Sequence, residues 1–328
     1  MNVVTGGTGF LGAHVVRALL RRGEPVRCLV REASPRRNLD GLSVELAVGD
    51  LNDPGSLARA FRGATVLYHC AADYRLFARN PREIFRTNVA GTENVLRAAA
   101  EAGVARVVHT SSVGTLGRGR GAQPADETTP VSRREMIGAY KASKFDAERV
   151  AEEWARRGLP VVIVNPSTPV GELDAKPTPT GRILVDFLNC RMPAYVDTGL
   201  NLIDARDAAE GHLLAAERGR AGEKYILGNR NMTLKEIFDS LSSFSGIPSP
   251  RVRLPSWVPI AVGALDTAVA RLSYREPRVS LDSARMSRHR MYFDPGKAVR
   301  ELGLPQSSVE AALERAVKWF RDNGFVRG

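Results

Sequence analysis

Tyr140 and Lys144, in the run Tyr140-Lys141-Ala142-Ser143-Lys144, are the residues best suited by type and spacing to acid–base work. Four positions apart, they share one helix face. A free phenol titrates near about 10 and is a poor acid or base at neutral pH, so a neighbouring ammonium is expected to lower it. Ser112, in Thr110-Ser111-Ser112 at the end of a strand-like run, could hold a substrate oxygen beside that phenol. Near the N-terminus, Thr5-Gly6-Gly7-Thr8-Gly9-Phe10-Leu11-Gly12 sets Gly6, Gly9 and Gly12 at GxxGxxG spacing. Side chains at those positions would keep a pyrophosphate away from the N–H groups of a helix N-terminus, so a dinucleotide is the expected ligand.

The elements that must position these residues alternate. Strand-like runs fall at Asn2–Thr5, Pro25–Val30, Val44–Val48, Val66–His69, Arg106–Thr110 and Val161–Asn165. Helical patterns lie between them at Phe10–Arg22, after Pro54, from Pro81 to Ala102, and at Tyr140–Arg157. Such alternation predicts an α/β fold, a doubly wound parallel sheet of the Rossmann kind with ligands at the strand carboxyl ends. Beyond Asn165 the regularity fades. Helices are expected at Ala205–Arg218, Leu234–Ser245, Val258–Leu272, Val279–Ser287 and Val309–Asn323, and Lys224–Leu227 is expected to return to the main sheet. The dinucleotide domain is therefore assigned to 1–166 plus about 201–228. A smaller, mixed C-terminal substrate lobe takes about 167–200 and 229–328.

Composition narrows the class. The 328 residues are 43% hydrophobic and 25% charged, as in an ordinary globular protein. No secretory signal or membrane-spanning run is visible, so a cytoplasmic location is expected. The net charge is +11, but only seven of the 47 basic residues are lysine and the arginines form no block. Without interleaved base-stacking aromatics, this pattern argues against nucleic acid. Cys28, Cys70 and Cys190 are expected to be small packing residues. The five histidines stand apart, and no metal site is expected.

At the end of the second strand a carboxylate would suit the ribose hydroxyls of NAD. This chain has Val30 and then Arg31, with Arg36 and Arg37 following. Guanidinium groups there suit a ribose 2′-phosphate, so NADP(H) is favoured over NAD.

With both motifs placed, the chain resembles the extended short-chain dehydrogenase/reductase superfamily (the NAD-dependent epimerase/dehydratase family) over essentially its full length. Gly49-Asp50-Leu51, His69-Cys70-Ala71-Ala72, Asn88-Val89-Ala90-Gly91-Thr92 and Asp294…Lys297-Ala298…Leu302-Gly303 carry the likeness. Within it the chain looks closest to dihydroflavonol-reductase-like proteins and hopanoid-associated sugar epimerases, through Ala71–Leu76, Asn165–Pro169 and the run from Lys176 to Gly199. The resemblance implies that Ser112 binds the substrate oxygen, Tyr140 exchanges its proton, Lys144 holds the nicotinamide ribose and Asn88 steadies the active-site helix and strand. It places further cofactor contacts at Thr8, Phe10, Leu11, Asp50, Leu51, Ala71, Ala72, Ser111, Pro166, Ser167 and Thr168. It also implies a homodimer packed through the helices at Pro81–Ala102 and Tyr140–Arg157, with Ala98, Ala99 and Ala102 as a close-packing face.

Three activities compete. Val113 and Gly114 follow Ser112 where sugar-nucleotide dehydratases usually have Asp-Glu, and Thr168 stands where nucleotide-sugar epimerases commonly have Asn. A net carbonyl reductase, acting on a carbonyl or alcohol of a lipid or polyol, is therefore preferred to an epimerase using bound NAD(P). A non-catalytic nucleotide sensor is disfavoured, because Ser112, Tyr140 and Lys144 are all present. Trp257–Leu265, flanked by Arg251, Arg253, Arg271 and Arg275, fits either a core helix of the second lobe or an interfacial helix at a membrane.

Overall fold

Runs rich in valine, isoleucine and leucine, short and apolar on both faces, build the centre of the molecule, as buried parallel strands require. The computed structural model describes residues 1–119, 123–273 and 275–326. Its main sheet contains β1 (Asn2–Thr5), β2 (Val26–Val30), β3 (Glu45–Val48), β4 (Val66–His69), β5 (Arg106–Thr110), β6 (Val161–Pro166) and β10 (Lys224–Leu227). All seven run parallel, in the order β3-β2-β1-β4-β5-β6-β10. The order reverses between β1 and β4, which opens a crevice at the carboxyl ends of the strands.

Helices cover both faces. The inward residues of α1 (Phe10–Arg21), α7 (Ala205–Arg218) and α11 (Gly296–Leu302) share one core with Val4, Val108 and Val164. Those of α2 (Pro54–Ala60), α4 (Gly91–Glu101) and α5 (Gly138–Arg156) share the other with Val3, Val107 and Ile163. The helix expected over 81–102 is helical throughout but not uniform. It opens as α3 (Pro81–Phe85), passes through a π turn at Arg86–Ala90, and resumes as α4. Such turns often mark functional positions, and Asn88 lies within this one. Ala98 and Ala99, expected at a dimer face, are buried in this chain's own core, because the small side chains bring α4 down onto the sheet.

The second lobe is more regular than its sequence suggests. A small sheet of order β11-β9-β7 joins β7 (Thr168–Val170), β9 (Gly199–Asp204) and β11 (Arg230–Thr233). Thus β9, whose latter part fell within the expected dinucleotide domain, pairs with strands on both sides of β10. A second ribbon pairs β8 (Ala194–Val196) with β12 (Val252–Leu254). The proline- and threonine-rich run leads into α6 (Pro179–Leu188), which Thr178 caps at its N-terminus. With α8 (Leu234–Ser245) and α12 (Val309–Asp322), α6 encloses a third core around Phe187, Phe238 and Phe320. A hairpin of α9 (Trp257–Ser273) and α10 (Leu281–Met286) projects from this lobe. Cys190, expected to pack inside, is exposed, because it ends α6 in a left-handed conformation (φ 57°).

Candidate active site

The glycine loop is fixed by sterics before any ligand is considered. Gly6 has φ 73°, and a Cβ on Gly12 would lie 2.2 Å from the Gly6 carbonyl oxygen. Helix α1 then starts without a side-chain cap and without an acid in its first turn. Its first N–H groups are thereby left to an anion, as a dinucleotide pyrophosphate requires. Across the crevice, the Ser167 hydroxyl is buried without a hydrogen-bond partner among the described residues, consistent with a polar group missing from that wall. The residues present fit the cofactor.

The end of β5 supplies the hydroxyls. Ser112 leaves the strand in extended backbone and caps the 3-10 turn Val113–Thr115, accepting from Gly114 N–H at 3.0 Å. Its hydroxyl lies near enough to the phenol of Tyr140, on the first turn of α5, to act on its ionisation. Gly138, two residues earlier, has φ 78°, and a Cβ there would lie 2.5 Å from a carboxylate oxygen of Asp282. Glycine therefore lets α10 close on the start of the catalytic helix. One turn on from Tyr140, the Lys144 ammonium donates to the Thr110 carbonyl at 2.7 Å and is buried.

The electrostatics differ from the expectation for the phenol. Burial raises the Tyr140 pKa, and the nearby Ser112 hydroxyl only partly offsets that rise. The cost of an enclosed phenolate outweighs any help from the ammonium, which is turned toward Thr110. Burial also pushes Lys144 down to about 8, against the opposing pull of Glu148 and Cys70.

Asn88 acts one layer out. Its amide donates to the Ser143 hydroxyl and the Asp73 carbonyl, both at 2.9 Å, and accepts from Asp73 N–H at 2.7 Å. Ser143 in turn donates to the Tyr140 carbonyl at 2.8 Å. A second chain reaches the π turn from the glycine loop. Ala71 N–H donates to the Thr5 hydroxyl, which pairs with His69 Nδ1 at 2.8 Å. His69 Nε2–H meets the Thr92 hydroxyl at 3.1 Å, and Thr92 donates to the Asn88 carbonyl at 2.6 Å. This direction fixes the imidazole as the neutral Nε2–H tautomer, and burial holds its pKa down to about 3.

The other expected cofactor residues are distributed as follows. Thr8, Phe10, Leu11, Ala71 and Ala72 are partly exposed, as are Asp50, Pro166's neighbour Ser167, and Thr168; Pro166 and Leu51 are buried. Arg31 and Arg36 are exposed, whereas Arg37 is engaged by Asn323. The Ser111 hydroxyl does not reach the crevice: it donates to Glu148 at 2.5 Å. Glu148, which no sequence motif singled out, has a carboxylate with no exposed surface that also accepts from Thr115, Asn165 and Lys224 at 2.6–2.8 Å. Burial alone would raise its pKa, but Lys224 and the hydroxyls hold it below the usual range. The signal was present: Tyr140, Lys144 and Glu148 follow one another at four-residue steps along one face.

Sheet order, glycine loop and Ser–Tyr–Lys cluster together define a dinucleotide-dependent oxidoreductase site. The chain belongs to the NAD-dependent epimerase/dehydratase family, whose model matches residues 2–228. It is 48% identical to a Synechocystis protein provisionally named a dihydroflavonol 4-reductase, across 99% of this chain and 95% of that one. Sterol demethylase protein B of Methylococcus capsulatus is 39% identical, across 99% of both chains. Among solved structures, that of gox2253 superposes with a TM-score of 0.89 at 46% identity, across 100% of this chain and 99% of that one. Further relatives bear reductase and dehydrogenase names, and the protein is an NAD(P)-dependent oxidoreductase of the extended short-chain dehydrogenase/reductase type.

Proposed function

We propose that the protein is an NADPH-dependent carbonyl reductase whose substrate is apolar, a lipid or a lipid bearing a polyol. The observation that carries this reading is the convergence of Ser112, at the end of β5, with Tyr140 and the buried ammonium of Lys144 on α5. When bound, the nicotinamide supplies the hydride. Ser112 polarises the carbonyl oxygen, and Tyr140, kept protonated by burial, donates its proton as the alkoxide forms. Lys144 holds the cofactor ribose and keeps positive charge near the phenol. No carboxylate follows Ser112 to assist elimination, since Val113 and Gly114 stand there. Arg31 and Arg36, exposed beyond β2, support NADPH through charge-assisted bonds to a 2′-phosphate. The sterol named in one relative supports an apolar substrate.

Turnover of NADPH and NADH with a panel of lipophilic ketones, aldehydes and sugar nucleotides tests the reading. Arg31→Ala should weaken NADPH about ten- to a hundredfold and leave NADH nearly unchanged, from a charged pair of roughly 1.5–3 kcal/mol. Wild-type preference for NADH, with epimerisation of a sugar nucleotide and no net cofactor oxidation, would replace the reductase by an epimerase.

A further inference from the structure

Helix α9 is inside out for a helix resting on a protein core. Its small residues Gly263, Thr267 and Ala270 face inward and are buried. Gly263 sits against Ala284, Ser280 and Leu281, and the Thr267 hydroxyl accepts from Leu281 N–H at 2.9 Å. Its large residues face water: Leu272 is 82% exposed, Leu265 69% and Val262 49%. Val262, Leu265, Val269 and Leu272 recur at three- and four-residue steps, so they form one continuous strip, and Trp257 at the start of the helix is exposed as well. A helix apolar on both sides is normally covered on both.

The surroundings indicate what covers it. Residues 251–290 carry eight arginines against three acidic residues, a large share of the net charge of +11. Asp266 pairs with Arg275, Asp282 with Arg285 and Glu276 with Arg182, while Arg253 and Arg290 share Asp197, so the positive charge beside the strip rests on the remaining arginines. Arg251, Arg271 and Arg278 are exposed. Two copies meeting through this strip would bring two such basic sets together, whereas an anionic lipid surface matches both the apolar strip and its flanks.

We propose that α9 is a docking helix for an anionic bilayer surface. It lies in the interface plane with Val262, Leu265, Val269 and Leu272 in the acyl boundary and the flanking arginines at the phosphates. No helix among the described residues is long and apolar enough to cross a membrane, and the docked geometry does not require one. Because α10 lies between α9 and the Gly138 end of the catalytic helix, docking sets the crevice beside the lipid. The route of entry rests on the apolar-substrate reading given above; the docking itself does not.

The test is flotation of the whole protein with vesicles of phosphatidylcholine alone or mixed with phosphatidylglycerol. Binding to the anionic vesicles is expected, falling sharply as NaCl rises from about 0.05 to about 0.5 M. Leu265→Glu/Leu272→Glu should bind at least about tenfold more weakly, with turnover of a small water-soluble carbonyl unchanged. Arg271→Ala/Arg278→Ala, which leaves the apolar strip intact, should also bind more weakly. Absence of flotation at low salt, or equal binding to both vesicle types, overturns the proposal. So does a wild-type oligomer that Leu265→Glu/Leu272→Glu converts to monomer, since a second copy would then cover the strip. Vesicle binding without turnover of any lipophilic carbonyl sinks the substrate reading and leaves docking standing.

Discussion

Helices α5 and α9 differ in length by only two residues, yet they treat their side chains in opposite ways. On α5, ionisable groups point inward: Lys144 and Glu148 are buried, and each has a partner. On α9, leucines and valines point outward while glycine and alanine pack inside. Each arrangement departs from the usual helix, and each departure has a cost. Burying charge is costly unless every lone pair and proton is matched, which is the condition met around Glu148. Exposing an apolar strip forgoes its transfer from water, which a covering surface would restore. On α5 the oddity is resolved within the chain and marks the chemistry. On α9 it is left open and marks an outside contact.

The largest expected effect comes from breaking the compensation on α5. Glu148→Ala leaves the Lys224 ammonium with Glu152 alone and strips acceptors from Ser111, Thr115 and Asn165. Removing one partner of a buried ion pair costs about 3–5 kcal/mol, so chemical denaturation should show a loss of that order. A loss below about 1 kcal/mol would mean that water takes over these bonds.

Tyr140→Phe tests the chemistry of the same helix. Turnover should drop at least about a hundredfold while cofactor still binds, because only the proton donor is lost. Near-normal turnover would remove Tyr140 from the mechanism and with it the link between buried polar groups and catalysis.

A pH profile separates two neighbouring ammonium groups. Burial pushes both Lys144 and Lys141 down to about 8 from 10.5. Rates of carbonyl reduction should fall as pH rises through about 8, when Lys144 loses its proton. Lys141→Gln, which removes an ammonium bonded to the Met291 sulfur at 3.8 Å, should leave that limb in place. The stability sign is opposite. Between about 8 and 10.5 the unfolded chain binds more protons at these lysines than the folded one, so their contribution to stability rises with pH across that window. A rate limb that vanishes in Lys141→Gln would reassign it.

How much of this was legible in the sequence follows the same division. In the first half, strand and helix periods are set by local apolar patterns, and β1 falls where the sequence places it, as do α7 and β10 further along. Tyr140, Lys144 and Ser112 were singled out as candidates because their spacing and their place at a strand end are local facts. Glu148 was not, since its partners come from β5, β6 and β10 and only the folded sheet brings them together. Strands β7, β9 and β11 escaped for the same reason: each is three to six residues long and takes its register from distant neighbours. The π turn around Asn88 had no sequence signal. There the Thr92 hydroxyl reaches back to the Asn88 carbonyl and meets His69, a contact that only the folded sheet brings about.

The smallest expected effect sharpens the contrast most. Leu265→Gln/Leu272→Gln changes two residues that are 69% and 82% exposed, so folding has little apolar burial to lose there. Surface substitutions of this kind usually move stability by no more than about 0.5 kcal/mol each, and glutamine keeps good helix propensity. The melting temperature in solution should therefore stay within a few degrees of wild type, the opposite of the Glu148→Ala result on a helix of nearly equal length. Scanning calorimetry without lipid makes the comparison. A loss as large as that from deleting a core leucine, about 2–5 kcal/mol, would show that α9 is covered by its own chain in solution. The exposed strip would then be part of the fold's interior, and the two helices would obey one rule rather than two.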